Sequence, residues 1–222
     1  MTNRAARMLG LRLALALLAA GTCLVAGRAS AQGTIVHVVP SQPISYTDLF
    51  SQGSQDIDIN GDSVPDFNLS SWNGMDVDLT PLNNNAIISV PEPPGDLGAF
   101  IYAFSQGAPI SSSLDPVFVW WGSDGNAPPG IVTASNIGSI GYFQGQTDAF
   151  AGVRLDLAGG LYYGWIHIQN FGANWGQISD WAYETRSDTQ ILAGAVPEPS
   201  CTSLCVLGIL LMFTRRSQSR VR

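Results

Sequence analysis

Cysteine is scarce in this sequence and absent from its long central segment. The three cysteines, Cys23, Cys201 and Cys205, all fall in apolar stretches near the two ends. No disulfide can therefore cross-link residues 32 to 195, even in an oxidising compartment. A segment of about 165 residues is long enough to bury one hydrophobic core without such cross-links, so we expect one domain.

Lysine is absent altogether, and the central segment carries almost no positive charge. All ten basic residues are arginines, and only Arg154 and Arg186 fall within residues 32 to 198. The same residues hold all seventeen carboxylates, so their formal net charge is −15, whereas the whole chain, with its basic ends, has −7. A body of this charge repels nucleic acid and anionic membranes, and it favours solubility and divalent cations.

Segments with the hydrophobic period of a helix are missing from the central segment. Gly, Asn, Asp, Ser and Pro divide it into short pieces rich in β-branched and aromatic residues. The pieces that predict strands are TIVHVV, DIDI, DFNLSSW, AIISV, AFIYAF, PVFVWW, SIGYF, AGVRLDL, LYYGWIHIQ, QISDWAYET and QILAG. Their spacing predicts an all-β fold, an antiparallel β-sandwich of jelly-roll-like form. The stretch LAGGLYY predicts a tight hairpin within it.

Recognisable catalytic motifs are also missing. The sequence has neither a Gly-x-Ser-x-Gly elbow nor a phosphate-binding loop. His37 and His167 each fall inside an apolar strand, without a second His or Cys at metal-ligand spacing, which argues against zinc. Asp180 and Glu184 share a strand face but lie about 13 Å apart at the rise of a strand, too far for the carboxylate pair of a glycoside hydrolase. We therefore predict that the protein is not an enzyme.

Aromatic side chains are concentrated in LYYGWIHIQNF. Tyr163, Trp165 and His167 alternate onto one face of the predicted strand, an arrangement that suits stacking against sugars. The other face is apolar too, and a strand apolar on both faces is usually buried, which favours core packing over a ligand platform. Trp121, beside a turn, has the same two interpretations.

The segment DIDINGDSVPDF places oxygen donors at alternate positions. Counted from the first donor, they are Asp58, Asn60, Asp62, the Val64 carbonyl and Asp66. Alternate spacing lets a tightly turning backbone aim successive oxygens at one hard cation. The stretch resembles the Asp-x-Asn-x-Asp-Gly-x-x-Asp loops of dockerins and related extracellular repeats, and the resemblance implies Ca²⁺ as a cofactor.

Two departures from that loop keep a second interpretation open. Ser63 stands where the loops have a glycine in a left-handed or strained turn, and Leu69 stands where calcium loops place a bidentate Glu. The alternative is a polar β-turn at Asn60-Gly61 whose acids face solvent.

The first 31 residues have the three parts of a secretory signal peptide. Three arginines come first, then the apolar stretch LALALLAAGTCLVAG, and then the small residues of a cleavage site. The residues concerned are Arg4, Arg7 and Arg12 for the basic part and Ala29, Ser30 and Ala31 for the cleavage site. We expect the mature chain to begin at Gln32, outside the cytoplasm.

The C-terminal end also combines an apolar stretch with arginines, but here the arginines follow the apolar stretch. Pro197 and Pro199 interrupt any strand or helix, residues 201–213 are uncharged and mostly apolar, and Arg215 and Arg216 follow. Thirteen helical residues are about 20 Å long, short of the roughly 30 Å core of a bilayer. We predict a short transmembrane helix with its arginines on the cytoplasmic side.

This order resembles the PEP-CTERM sorting signal of Gram-negative bacteria. The resemblance rests on Val196-Pro197-Glu198-Pro199-Ser200, the span from Cys201 and the pair Arg215 and Arg216. It implies recognition and cleavage by an exosortase, a membrane protease of bacteria that make exopolysaccharide. The stretch VPEPPG at residues 90–95 contains the same tripeptide but is followed by DLGAF, so the three-part order is the specific feature.

The resemblance extends into the body. The stretches GGLYYGWIHIQ, ISDWAYET and ILAGAVPEPS are similar to the end of many PEP-CTERM proteins. The predicted domains are a signal peptide at 1–31, an acidic all-β extracytoplasmic domain at 32–195 and a sorting signal at 196–222.

From these features we expect an exported, non-catalytic protein of the cell surface or extracellular matrix, anchored in the inner membrane before processing. The expected partners are an exosortase-type protease and exopolysaccharide, with no nucleic acid. The alternative is a calcium-dependent carbohydrate-binding module or a glycan-acting hydrolase.

Overall fold

The described part of the chain is built from β-strands. The computed structural model describes residues 35–46, 53–72, 76–91, 99–122, 130–135, 138–172 and 175–197. Every element assigned within these ranges is a strand, which confirms the predicted all-β fold. The ranges belong to one compact unit, Gly33–Pro197.

Sixteen strands follow one another along these ranges. The first eight are β1 (Ile35–Val38), β2 (Ile44–Ser45), β3 (Ser54–Ile57), β4 (Phe67–Trp72), β5 (Asp76–Pro81), β6 (Ala86–Pro91), β7 (Ala99–Ile101) and β8 (Ala103–Phe104). The remaining eight are β9 (Pro109–Ile110), β10 (Val119–Gly122), β11 (Gly130–Ser135), β12 (Gly138–Ile140), β13 (Ala149–Leu157), β14 (Gly160–Gly172), β15 (Trp175–Glu184) and β16 (Ile191–Leu192).

Fourteen of these strands form one continuous sheet. Its main path runs β1-β15-β14-β13-β6-β7-β11-β5-β4-β3, with β2, β8, β10 and β12 attached at the sides. The pairings are antiparallel apart from β7 with β11, which is parallel. A second, two-stranded sheet pairs β9 with β16, and it joins the end of the body to its middle.

The first apolar cluster shows that the large sheet folds over on itself. Phe67 of β4 and Leu79 of β5 lie in the same buried cluster as Ile166 of β14. Five strands separate β4 from β14 along the path, so in a flat sheet these two strands would be about 29 Å apart. The two ends of the sheet therefore face each other across a shared core, and the all-β fold is sandwich-like. The finer prediction of a jelly-roll-like form stays a prediction.

A second apolar cluster covers the opposite face of the central strands. Side chains alternate along β14, so Ile166 and Ile168 enter the first cluster while Tyr163 and Trp165 enter the second. Fully burying one such side chain stabilises the fold by about 1.5–3 kcal/mol. The central strands are thus buried on both sides, as the apolar pattern of LYYGWIHIQ predicts.

Most predicted strand segments coincide with observed strands, and the differences occur where acids or glycines obscure the pattern. The LAGGLYY hairpin is confirmed, since Leu157 pairs with Gly160. The DIDI segment is shifted, because β3 ends at Ile57 and the following residues form a loop. Strands β2, β5, β9 and β11 were not predicted from the sequence. Strand β5 is DVDLTP, and its acids and proline obscure the alternation of buried residues along it.

Candidate functional site

The acidic loop joins two antiparallel strands at one end of the sheet. Strand β3 ends at Ile57, strand β4 begins at Phe67, and these two residues are paired. The amide of Asp66 donates to the Ile57 carbonyl at 2.8 Å and closes the loop. The predicted donors Asp58, Asn60, Asp62, Val64 and Asp66 therefore share one nine-residue hairpin loop, residues 58–66.

The exposed carboxylates of this loop accept hydrogen bonds from its own backbone. Asp58 Oδ1 accepts from Gly61 N, and Asp58 Oδ2 accepts from Ser63 N, both at 2.7 Å. Asp62 Oδ1 accepts from Val64 N at 2.8 Å, while Asp62 Oδ2 accepts from Asn60 Nδ2 at 3.1 Å. These bonds satisfy backbone donors that a tight turn would otherwise leave to solvent, as Asp and Asn side chains commonly do in turns.

Asp66 points the other way, into the protein. It is buried, and its Oδ2 accepts from Ile59 N at 2.8 Å. Its Oδ1 accepts from Asn85 Nδ2 at 2.9 Å, and the Asn85 Oδ1 accepts from Asp156 N at 2.8 Å. Burial raises the pKa of Asp66, and the hydrogen bonds from Ile59 and Asn85 offset only part of that effect. Asp66 thus anchors the loop to β13 through Asn85.

The backbone of the loop adopts the left-handed turn that the calcium-loop resemblance implies. Ser63 has φ of 71° and Gly61 has φ of 79°. A residue with a Cβ is strained in this region, at about 1–2 kcal/mol. Ser63 therefore takes the conformation for which related loops have a glycine.

The side chains of the loop do not converge on one point. Within the described residues, no group of three His, Cys, Asp or Glu side chains is placed to hold a metal ion. Leu69, at the twelfth position of the loop pattern, is buried in the first cluster and can supply no ligand. The arrangement fits a hydrogen-bonded polar turn, in which the two oxygens of Asp66 accept from Ile59 and Asn85. Calcium binding at this loop stays a prediction.

A second polar cluster, which the sequence did not predict, lies where β1, β14 and β15 run side by side. Asp180 of β15 binds both histidines of the chain. His37 Nε2 lies 2.8 Å from Asp180 Oδ2, and His167 Nδ1 lies 2.7 Å from Asp180 Oδ1. His167 Nε2 lies 2.5 Å from Asp148 Oδ1, and the Ser179 hydroxyl donates to Asp180 Oδ1. We call His37, Asp148, His167, Ser179 and Asp180 the histidine cluster.

The electrostatics of this cluster favour its charged forms. Burial works against a charged His167, but the hydrogen bonds and charges of Asp180 and Asp148 outweigh it, and the pKa of His167 is raised. Burial likewise works against an ionised Asp180, but hydrogen bonds from His167, Ser179 and His37 hold its pKa far below the ordinary range. The charged forms of His167 and Asp180 thus join β14 to β15, and Phe150 covers them on one side with a ring that stacks on His167 at 4.6 Å.

Ser179 contacts both His167 and Asp180 within this cluster. Ser179 Oγ lies 2.8 Å from His167 Nδ1, but its hydroxyl donates to Asp180 Oδ1, so its proton is directed at the acid and not at the imidazole nitrogen. Asp180 and Glu184, the two acids that share a face of β15, bind different partners. Asp180 binds the two histidines, and Glu184 binds Arg186. The sequence does contain one signal for this cluster. His37 and His167 both fall on predicted strands, and a third predicted strand carries Asp180, so pairing of these strands would bring the acid to the histidines.

The aromatic residues of β14 lie mainly in the core. Tyr163 and Trp165 are each only 1% exposed, and His167 is part of the histidine cluster. The Trp165 indole donates to the Ala195 carbonyl at 3.1 Å. This burial agrees with the interpretation of the stretch as core, and Trp121 is half-buried against the first cluster.

The predicted targeting residues fall almost entirely outside the described ranges. Pro197 is the last described residue, and it is exposed. The other predicted positions lie beyond the ranges, namely Ala29, Ala31, Gln32, Glu198, Pro199, Arg215 and Arg216. Within the ranges that are described, no helix has the length and apolar character needed to cross a bilayer. Comparisons of the chain with protein-family models, curated proteins and solved structures give no match.

Proposed function

We propose that this chain is an exported, non-catalytic protein of the cell surface or extracellular matrix, sorted by an exosortase through a C-terminal PEP-CTERM signal. The observation that carries the proposal is the three-part order of the tail, with Pro197-Glu198-Pro199, the apolar span from Cys201 and the pair Arg215 and Arg216. The N-terminal signal peptide pattern, ending at Ala31, supplies the export step.

The end of the folded body supports this division of the chain. Strand β16 pairs with β9, and the Ala195 carbonyl accepts from the indole of Trp165. Val196 is 46% exposed and Pro197 is also exposed. The last contacts that complete the body therefore come immediately before the Pro-Glu-Pro motif, where a processing enzyme needs accessible chain.

The acidic charge of the body fits the same destination. A net charge of −15 over residues 32 to 198 keeps an exported domain soluble, and it disfavours binding to the anionic membrane through which the chain passes. We propose exopolysaccharide as the surrounding polymer and the inner membrane as the site of the intermediate, anchored through a short helix over residues 201–213.

Mass spectrometry of the native exported protein tests the sorting proposal. The mature chain is expected to begin at Gln32 and to lack Arg215 and Arg216. Deletion of the exosortase gene should leave the arginine pair in place and retain the protein in the inner membrane. An intact C-terminus on all exported protein from cells that contain the protease would contradict the proposal and favour a permanent anchor.

Two truncations separate the signal from the body. A chain ending at Val196 keeps the Ala195 carbonyl and should fold as a soluble domain after export. A chain ending at Gly194 removes that carbonyl and leaves the buried Trp165 indole without its acceptor, at a cost of about 1–3 kcal/mol. Thermal unfolding of the two proteins measures this difference.

A further inference from the structure

Four polar side chains lie side by side on the face of the sheet that carries the second apolar cluster. Arg154 of β13 is paired in register with Tyr163 of β14. The pairing of Gly164 with Tyr183 places Glu184 of β15 next to Tyr163 on its other side. Trp120 of β10 completes the group, since its ring centroid lies 5.7 Å from that of Tyr163. We call Trp120, Arg154, Tyr163 and Glu184 the polar row.

Each member of the polar row has a buried polar atom that finds no hydrogen-bond partner among the described residues. The atoms are Trp120 Nε1, Arg154 Nε, Tyr163 Oη and Glu184 Oε2. Buried polar atoms in folded proteins are nearly always paired, so four unpaired atoms in one place require an explanation. The other such atoms do not share this place, and Trp181 Nε1, for example, belongs to the first cluster.

The polar row also gathers the scarce positive charge of the body. The guanidinium of Arg154 lies over the Trp120 ring, 5.2 Å from its centroid. Arg186 donates from Nε to Glu184 Oε1 at 3.3 Å and from its backbone amide to the same oxygen at 3.0 Å. Both arginines of a body with a net charge of −15 are therefore used here, and Glu184 keeps its second oxygen unpaired.

All four unpaired atoms are buried, but the side chains that carry them differ in exposure. Tyr163 and Glu184 are fully buried, whereas Trp120 and Arg154 are half-buried. A ligand that reaches Trp120 and Arg154 from the surface would find the hydroxyl of Tyr163 and the free oxygen of Glu184 further in. The second cluster makes the surroundings of the row mostly apolar, and a few polar groups in an apolar setting are typical of small-molecule sites.

The chemistry of the four atoms selects the class of ligand. Trp120 and Arg154 offer N–H donors, Glu184 offers an acceptor, and the Tyr163 hydroxyl can do either. An anion would meet the carboxylate of Glu184, and a cation would meet the guanidinium of Arg154. A neutral hydroxyl group both donates and accepts, so several hydroxyls on one carbon frame match the set.

We propose that the polar row is a binding subsite for a neutral polyhydroxylated ligand, a sugar residue or a polyol. The proposal is independent of how the protein is sorted, because it rests on the body alone. It also differs from a platform of exposed aromatic rings, since the row binds through polar atoms and Tyr163 is buried.

Nitrogen-labelled spectra test the proposal directly, because the indole N–H of tryptophan and the Nε–H of arginine give resolved signals. The full-length chain is kept in a zwitterionic detergent without sugar headgroups and titrated with glucose, galactose, N-acetylglucosamine or glycerol, and separately with inorganic phosphate. The signals of Trp120 Nε1 and Arg154 Nε are expected to move with at least one neutral probe and not with phosphate. Trp165 Nε1, already bound to Ala195, and Trp181 Nε1, in the first cluster, are internal controls that should stay in place.

Two conservative variants test whether the polar atoms bind the probe. Tyr163→Phe keeps the ring and removes a hydroxyl that has no partner to lose among the described residues, so it should unfold no more easily than the parent and should weaken binding about tenfold. Glu184→Gln keeps the acceptor for Arg186 and replaces the unpaired oxygen with a donor, which should also weaken binding. Tyr46→Phe, in the first cluster, is the matched control and should leave binding unchanged.

Three results would overturn the proposal. The Trp120 and Arg154 signals could stay fixed with every neutral probe, or they could move with phosphate alone. Equal movement of the Trp165 and Trp181 signals would show that the probe acts on the whole protein instead of on the polar row.

Discussion

The imidazole of His37 lies 2.8 Å from the carboxylate of Asp180, although 143 positions separate the two residues in the chain. The bond joins β1 to β15, the strand with which β1 pairs in the described part of the sheet. The same carboxylate binds His167 on β14, so one acid connects three neighbouring strands. Strand β1 is therefore joined to β15 by a side-chain hydrogen bond as well as by backbone pairing.

The histidine cluster predicts a stability maximum at mildly acidic pH. The pKa of His167 is raised, so its contribution is complete below about 6.5, the value for unfolded histidine, and is lost as pH rises through the folded value. The pKa of Asp180 is lowered, so its contribution is complete above about 3.9 and is lost as pH falls through the folded value. Both contributions are present between about pH 4 and 6.5.

Thermal melts of the body between about pH 4 and pH 9 measure this effect. His167→Gln should lower the melting temperature most near pH 5 and least near pH 9, where the parent has lost the charged interaction. Asp180→Asn should remove most of the pH dependence that His167 contributes. Parallel melting curves for parent and His167→Gln at all pH values would contradict the assignment.

Asn85 is predicted to stabilise the acidic loop more than any surface amide does. Asn85→Ala removes the donor to Asp66 and the acceptor for the Asp156 amide, both at buried or half-buried positions. The expected loss is about 2–3 kcal/mol of unfolding free energy, because buried polar groups are left unpaired. Denaturant titration measures it.

A matched control for this change is Asn68→Ala. Asn68 also donates from a side-chain amide to a carboxylate, that of Asp56, but the bond is exposed. Water replaces it, so the loss should be below about 0.5 kcal/mol. Similar losses for the two variants would show that Asn85 does not anchor Asp66.

Gly164, between the two aromatic residues of the Tyr-Gly-Trp strand, is predicted to tolerate no side chain. A Cβ at this position would lie 2.5 Å from the carbonyl oxygen of Ala182 in the paired strand. The backbone of β14 or β15 would have to move, so Gly164→Ala should cost about 3 kcal/mol. Gly61→Ala is the control. A Cβ added there has nothing within 4 Å, so only the positive φ should lower the free energy of unfolding, by about 1–2 kcal/mol. Urea unfolding of both variants should give this order, and the reverse order would be inconsistent with the β14–β15 contact.

Calcium binding by the loop of residues 58–66 has a distinct thermodynamic signature. If Asp58, Asn60, Asp62 and Asp66 enclose a cation, a few millimolar calcium should stabilise the body by about 1–2 kcal/mol, given the weak affinity of extracellular calcium modules. Melts in calcium and in sodium at matched ionic strength separate this effect from general screening. Asp62→Ala should abolish a calcium-specific rise, and equal rises in both proteins would show a polar turn.

Ser63→Gly provides a second test of the same loop. The substitution relieves the strain of φ at 71°, so it should stabilise the protein with or without calcium. If the loop binds calcium, the relaxed turn should also tighten binding, and the calcium-dependent rise should become larger. An unchanged rise would mean that the turn conformation has no part in cation binding.

The sequence by itself determined the all-β class, the main strands and the acidic hairpin loop. Alternation of apolar residues and the turn formers between them are local features, so AGVRLDL and LYYGWIHIQ could be read as strands joined by a tight turn. The positions of Asp58, Asn60 and Asp62 likewise showed a tight polar loop, because such side chains bond to the nearby backbone. Strand β5 could not be predicted in this way, because its side chains are buried by packing across the folded sheet and its own composition is not typical of a strand.

Only the tertiary structure decided which polar groups meet. His37, His167 and Asp180 come together because β1, β15 and β14 are neighbours in the sheet, an order that no local pattern encodes. The same strand order places Glu184, Tyr163 and Arg154 in one row and turns Asp66 inward to Asn85. Strand pairing between distant segments is set by the combined burial of the whole sheet, so the sites that depend on it become visible only when the chain has folded.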